Sequence, residues 1–170
     1  MINSFSGRWV FLSNFYPVEI EHQGIKYPTV EHYYVAMKVK GDQMIDGRFY
    51  PQPDVREMIS MIKTPADAKR FGRNKIRLRK DWNDVKLEVM NWAIREKFKD
   101  PKLEEMLLST EGEELIEGNN WHDVFWGVCS CPKCNNSGEN YLGKILMKVR
   151  DELTTKEEKP SLEDILFPKN

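Results

Sequence analysis

A chain of 170 residues, with 26 Lys+Arg against 27 Asp+Glu, 40% hydrophobic and 11% aromatic residues, is expected to make one domain. A domain of that size buries roughly 70% of its unfolded surface. Its large aromatic side chains argue against disorder, the lack of an apolar run of about 18 residues argues against a membrane span, and a net charge of -1 argues against a dedicated polyanion binder while leaving local patches open. No apolar leader follows Met1, and the 3 cysteines are too few and too clustered for a disulfide scaffold, so a reducing cytoplasm is the expected compartment.

Taken in chain order, Trp9-Val10-Phe11-Leu12 reads as extended. The alternation from Val18 to His22, then Gln23-Gly24 and Ile25-Lys26-Tyr27, reads as a hairpin. Thr29 is placed to cap a helix that starts at Val30, carries Tyr33, Tyr34 and Met37 on one side, and runs to Lys40 before Gly41. Residues 42–53 are turn-rich. Asp54 is a candidate cap for a helix ending at Ile62. Thr64-Pro65-Ala66-Asp67 starts another helix, with Gly72 as its stop. Asp81 or Asn83 opens the clearest helix, whose wide apolar side (Val85, Val89, Met90, Trp92, Ala93, Ile94, Phe98) places it near the middle of a core. Asp100-Pro101 begins a helix with Leu103, Met106 and Leu107 facing inward. A long loop covers residues 115–139. Asn140 then caps a final core helix holding Leu142, Ile145, Leu146 and Val149. Residues 154–160 read as a charged linker and residues 161–167 as a short amphipathic turn. The reading is a mainly α, single compact helical domain over residues 1–153, with a few short strands near the N-terminus, followed by a linker and tail over residues 154–170.

Three segments carry residue types that a plain core does not need. Glu31 and Lys38 are seven apart, so both can point to one face of their helix; read structurally, they are a solvated pair. Asn119-Asn120-Trp121-His122-Asp123-Val124-Phe125-Trp126-Gly127 crowds indoles, an imidazole and a carboxylate into a loop. Such rings make flat walls for a nucleobase, or they anchor the loop with Asp123 as a cap. Residues 69–80 hold seven cations and no acid, which suits a phosphate clamp, a nucleic-acid contact or a solvated surface. His122, Cys129, Cys131 and Cys134 supply the donors of a tetrahedral structural zinc site; the other reading is free thiols in a reduced loop.

The motifs together resemble the NADAR family, also called the YbiA-like family, over roughly residues 5–151. The matching segments are Phe11-Leu12-Ser13-Asn14-Phe15-Tyr16-Pro17, Pro28-Thr29-Val30-Glu31-His32-Tyr33-Tyr34-Val35-Ala36-Met37-Lys38 and Gly72-Arg73. They continue with Asp81-Trp82-Asn83-Asp84-Val85-Lys86, Trp121-His122-Asp123-Val124-Phe125-Trp126-Gly127 and Asn140-Tyr141-Leu142-Gly143-Lys144. The resemblance implies a mainly α-helical fold and cleavage of N-glycosidic bonds to ribose. The implied substrates are ADP-ribosylated guanine in a nucleobase or nucleic acid, or pyrimidine intermediates of riboflavin biosynthesis. It implies Glu31, Lys38, Trp82, Asp123 and Trp126 as pocket residues, with Arg73, Asn14 and Tyr34 as further substrate contacts. Val35 stands where many members have Gln, which is expected to alter substrate contacts.

Breaking a ribosyl C–N bond builds positive charge on the sugar and negative charge on the departing base. A carboxylate near the first and a proton or hydrogen bond near the second lower the barrier. Glu31 and Asp123 are the two acids, and either can take either role. Lys38 would hold a phosphate or lower the pKa of its neighbouring acid. Trp82 and Trp126 would stack on the base, and Arg73 with its neighbours would take a 5′-phosphate or pyrophosphate. No cofactor is required for this chemistry, so zinc would be structural. The rival readings are a non-catalytic NAD or ADP-ribose binder and a nucleic-acid module working through residues 69–80.

Overall fold

The computed structural model describes residues 1–157. They fall into two units, one formed by Phe5–Asp100, the other by Met1–Ser4 with the chain from Pro101 onward. The fold is mainly α-helical with short strands, as the sequence predicts. The strands are not confined to the N-terminal region: among the described residues they form three separate two-stranded sheets. No described helix is long and apolar enough to cross a membrane.

In the first unit, Gly7–Leu12 is a 3₁₀ turn and not the extended segment its aromatic residues suggest. Phe11 and Leu12 are adjacent and both buried, which the alternation of a one-sided strand does not allow. The Trp9 N–H donates to the Ser6 carbonyl at 3.0 Å and the Ser13 N–H to the Val10 carbonyl at 3.0 Å. The predicted hairpin forms as β1 (Ile20–His22) and β2 (Ile25–Tyr27), with Ile20 opposite Tyr27. Thr29 caps α1 (Val30–Met37), its hydroxyl accepting from the His32 N–H at 3.2 Å. Every residue of α1 is buried, so this helix is the unit's centre. It ends at Met37, short of Lys40: the Lys38 and Val39 N–H groups tighten onto Val35 and Ala36 (both 3.1 Å), and the Lys38 carbonyl is taken by the Arg79 N–H (3.1 Å).

The turn-rich stretch contains a second hairpin, β3 (Gln43–Ile45) with β4 (Arg48–Tyr50), joined by Asp46-Gly47. Helix α2 (Gln52–Ser60) starts three residues earlier than a cap at Asp54 would have it, with Pro53 in its first turn, where a missing N–H costs nothing. Thr64 caps α3 (Pro65–Asn74) as predicted, its hydroxyl accepting from the Asp67 N–H at 3.1 Å. Gly72 does not stop α3. It lies inside the helix, where a Cβ would come within 2.7 Å of Val35 Cγ1 on α1. Glycine is what lets α1 and α3 approach this closely. Helix α4 (Trp82–Lys97) buries Trp82, Met90, Ala93 and Ile94. Asp81 precedes it, yet makes no cap bond, because its carboxylate is taken by Arg79 (2.7 and 2.9 Å) and Lys40 (3.0 Å).

In the second unit, α5 (Pro101–Leu108) buries Leu103 and Leu107. The turn after it is tied to α6 (Tyr141–Glu157) by the buried Arg150 guanidinium, which donates to the Thr110 carbonyl at 2.6 Å and the Glu113 carbonyl at 2.9 Å. The long loop holds a parallel pair, β5 (Gly118–Asn119) and β6 (Val128–Cys129). Asn140 lies at the start of α6, but its side chain does not cap the helix: Oδ1 accepts from the Glu117 N–H at 3.0 Å and Nδ2 donates to the Leu115 carbonyl at 2.8 Å. The loop does that work, with the Phe125 and Trp126 carbonyls accepting from the Tyr141 (3.2 Å) and Leu142 (3.1 Å) N–H groups. Gly127 allows this close seat, since a Cβ there would lie 2.0 Å from the Glu117 carbonyl oxygen. Helix α6 continues into the predicted charged linker as far as Glu157, and the predicted turn at residues 161–167 lies outside the described residues.

Candidate active site

In the first unit, the side chain that needs an account is Glu31. It sits in the first turn of α1 and is only 6% exposed. A buried carboxylate is costly unless charge or hydrogen bonds compensate it. The helix N-terminus favours its negative charge, and its N–H is held by the Asn14 carbonyl at 3.1 Å. Lys38, two turns along α1 on the same side, acts on it electrostatically. Burial lowers the Lys38 pKa from the ordinary lysine value; the Glu31 charge pulls it back up, and the cations of Lys69 and Arg73 push it down further.

Those last two residues come from α3. They are spaced i, i+4, so they share one face of that helix. Sequence reasoning singled out Arg73 and left Lys69 in the general basic run, although this spacing was the signal that joins them. The close approach at Gly72 and Val35 brings α3 against α1 and sets the three cations together. Val35 is itself fully buried at this contact.

Aromatic rings line the same place. The Lys38 ammonium lies 5.2 Å from the Tyr34 ring centre and 5.9 Å from that of Trp82, and the two rings meet edge-to-face at 4.9 Å. Lys69 lies 6.0 Å from the ring of Phe15, which is 38% exposed. Asn14 serves as a support: its carbonyl holds Glu31, its Nδ2 lies 3.5 Å from Met90 Sδ, and its Oδ1 is buried without a hydrogen-bond partner. The rest of the basic run is partly neutralised. Arg70 pairs with Asp67, Lys75 with Asp46 at 2.6 Å, and Arg79 with Asp81 at 2.7 Å.

In the second unit, Asp123 Oδ1 accepts from the N–H groups of Trp126 at 2.9 Å and Phe125 at 3.2 Å, which makes it the anchor of its own loop. Trp126 packs edge-to-face on Phe125 at 4.9 Å, and Phe125 packs on Tyr141 of α6. Sequence reasoning passed over Asn119. It is 6% exposed; its Oδ1 accepts from the Trp121 and Asp123 N–H groups (both 3.2 Å), and its Nδ2 donates to the Asp123 carbonyl at 2.7 Å. His122, Cys129, Cys131 and Cys134 come together, their donor atoms all within 4.8 Å of one another.

A buried carboxylate beside a small group of cations and aromatic rings, on a mainly helical scaffold, defines a site suited to acid–base work on an anionic, ring-bearing molecule. The NADAR domain model matches residues 4–154, and the chain belongs to the NADAR family. It is 41% identical to "N-glycosidase Npun_R5314" of Nostoc punctiforme, over 83% of each chain. It is 38% identical to "Riboflavin biosynthesis protein PYRR, chloroplastic" of Zea mays over 83% of this chain, which spans 23% of the maize protein's length. It is 37% identical to "Riboflavin biosynthesis protein VVA0006" of Vibrio vulnificus, of which it spans 35%. The fold is similar to the NMR structure of the Escherichia coli protein YbiA, with a TM-score of 0.71 and 31% identity, covering 92% of this chain and 89% of that one.

Proposed function

We infer that this protein is an N-glycosidase that hydrolyses the C–N bond between a base and a phosphorylated ribose. The observation that carries the reading is the buried Glu31 carboxylate set on α1 with Lys38, and Lys38 in turn flanked by Lys69 and Arg73. Its relative in Nostoc punctiforme carries the name N-glycosidase, which supports the same reaction class.

In the proposed reaction the C–N bond breaks with its electron pair leaving on the base. Glu31 stabilises the oxocarbenium-like sugar and takes a proton from the incoming water, whose oxygen bonds to the anomeric carbon. The base, leaving with the electron pair, takes up a proton from solvent water, and Glu31 returns its own proton to solvent. Lys38, Lys69 and Arg73 take the phosphate groups, and Tyr34 and Trp82 shape the wall beside them. Asp123 and Trp126, which the family resemblance implies as pocket residues, keep that role as a proposal; Asp123 Oδ1 is engaged by its own loop backbone.

For the substrate, we propose an ADP-ribosylated guanine. A cluster of three cations drawn from two helices suits a pyrophosphate, whose two phosphoryl groups spread their oxygens over a longer span than a single phosphate ester does. A second reading, ribosylaminopyrimidine phosphates, is favoured by the names of the maize and Vibrio relatives. Incubating the full chain separately with ADP-ribosylated guanosine and with ribosylaminouracil phosphate, and following released base by chromatography, distinguishes the two. Glu31→Gln is expected to lower kcat by about 10²–10⁴ while leaving substrate affinity nearly unchanged. Equal turnover in that variant, or no cleavage of either compound, overturns the reading. Tight binding of ADP-ribose without release of base would identify a non-catalytic binder.

A further inference from the structure

We propose that His122, Cys129, Cys131 and Cys134 bind one zinc ion, a structural site that fixes the loop carrying Asp123 and Trp126. Three thiols and an imidazole are the donor set of closed zinc sites. With Zn–S near 2.3 Å and Zn–N near 2.0–2.1 Å, the edges of such a tetrahedron are about 3.5–3.8 Å. Here His122 Nδ1 lies 3.2 Å from Cys131 Sγ and 3.3 Å from Cys134 Sγ, and the four donor atoms all fall within 4.8 Å.

The backbone explains how so tight a spacing serves one ion. Cys129 ends β6, Cys131 opens the bend two residues on, and their sulfurs lie within 4.8 Å of each other. Cys131-Pro132-Lys133-Cys134 then folds back on itself: the Cys134 and Asn135 N–H groups both donate to the Cys131 carbonyl, at 3.1 and 2.9 Å. Cys129 is also pinned from the other side, its N–H donating to the Ser137 carbonyl at 2.9 Å.

Two further features belong to thiolate ligands and not to idle thiols. The sulfurs accept backbone hydrogen bonds, Cys129 Sγ from the His122 N–H at 3.3 Å and Cys131 Sγ from the Cys134 N–H at 3.4 Å. Such donors offset the charge that three thiolates leave around a divalent ion. His122 has φ 67, a left-handed conformation that a non-glycine residue holds only where its surroundings impose it. That conformation lets one residue give its N–H to Cys129 and its ring to Cys131 and Cys134.

Four protein ligands close the coordination sphere and leave no position for a reacting water, so the ion's role is structural. On binding, each protonated thiol loses its proton to solvent as its Zn–S bond forms. The ion then cross-links the segment of residues 119–122 to β6 and to the Cys131–Cys134 turn. Asp123, next in the chain, thereby starts from a fixed backbone.

The test is metal analysis of the reduced full chain, purified without chelator, followed by removal of metal and titration with Co(II). The expected result is about one zinc per chain. Cobalt should then give thiolate charge-transfer bands and the strong visible bands of tetrahedral coordination. His122→Ala and Cys131→Ser should each abolish or weaken those bands, whereas Lys133→Ala, an exposed neighbour on the same turn, should leave them intact. Absence of both zinc and cobalt bands in the wild-type chain overturns the proposal, as does a disulfide among these cysteines in its place. Bands that survive unchanged in His122→Ala and Cys131→Ser also overturn it. The wild-type cobalt spectrum decides the matter even if a variant fails to fold.

Discussion

A lysine held among rings and other cations gives up its proton more readily than one in water. Lys38 is in that situation. Its pKa is lowered from the ordinary lysine value of 10.5 by burial first, with Glu31 opposing and Lys69 and Arg73 reinforcing the shift. If the charged ammonium holds substrate phosphate, affinity should fall as pH rises through a value below 10.5, earlier than for an exposed lysine. Removing a neighbouring cation must raise the Lys38 pKa, so Lys69→Met should move that alkaline limb upward even as it weakens binding overall. The measurement is the affinity for ADP-ribose across alkaline pH in the two proteins. A limb that stays in place in Lys69→Met would mean that another group titrates. This separation of position from amplitude distinguishes a charge effect on Lys38 from the plain loss of one phosphate contact.

At the scale of elements, the α1–α3 contact decides where those cations lie, and its narrowest point is Gly72 against Val35. Gly72→Ala gains about 1 kcal/mol of helix propensity and loses about 1–3 kcal/mol to overpacking. Val35 cannot yield cheaply, because a β-branched side chain is stiff at χ1 and this one is fully buried. The expected result is a net loss of stability with weaker substrate binding, since Arg73 is the next residue on α3. Combining it with Val35→Ala should show a compensating coupling on the order of 1 kcal/mol in denaturant titrations; strictly additive effects would refute the contact. This contact also shows what a sequence reveals. The Thr29 and Thr64 caps and the Gln23-Gly24 hairpin were legible because each is a local hydrogen-bond or turn preference. The β3–β4 hairpin carried an equally local signal in Asp46-Gly47, hidden by the prolines that follow. Gly72 as a helix stop was the wrong inference from a correct observation: the missing Cβ serves a neighbouring helix thirty-odd residues away. Asp81 and Asn140 stand at helix starts, yet their side chains answer to other partners, Arg79 and Lys40 for the first and the Leu115 and Glu117 backbone for the second. Lys69 gains its role only where α3 packs against α1, although its spacing from Arg73 was legible; Asn119 carried a local signal, since its side chain bonds Trp121 and Asp123 two and four residues on.

For the molecule as a whole, the near balance of charges gives a sequence pI near 6.3, but stability need not peak there, because it follows the groups whose pKa changes on folding. Two histidines of the first unit are shifted in the same direction. His32 is buried, its Nε2 facing the Ile62 carbonyl at 2.9 Å and its Nδ1 facing the Thr29 hydroxyl at 2.8 Å; burial lowers its pKa from 6.5 and the carbonyl opposes this. His22 packs edge-on against Tyr33 and Trp92, and burial, aided by Arg56, lowers its pKa as well. A lowered folded-state pKa means that the unfolded chain takes up protons first. The stabilising contribution is therefore fully present above 6.5 and is lost as pH falls below it. Asp81 adds a second, lower step. Its hydrogen bonds from Arg79 and then Lys40 hold its pKa well below 3.8, so its contribution persists until pH falls through that region. Thermal melts across pH 8 to 3 should thus show a plateau above neutrality, a first decline beginning below 6.5, and a further one below 3.8. His32→Gln should flatten the first decline whatever it does to the plateau, and Asp81→Asn should remove only the second. A Tm that rises between pH 7 and the isoelectric point would show that net-charge repulsion, and not these two histidines, governs the acid side of the stability curve.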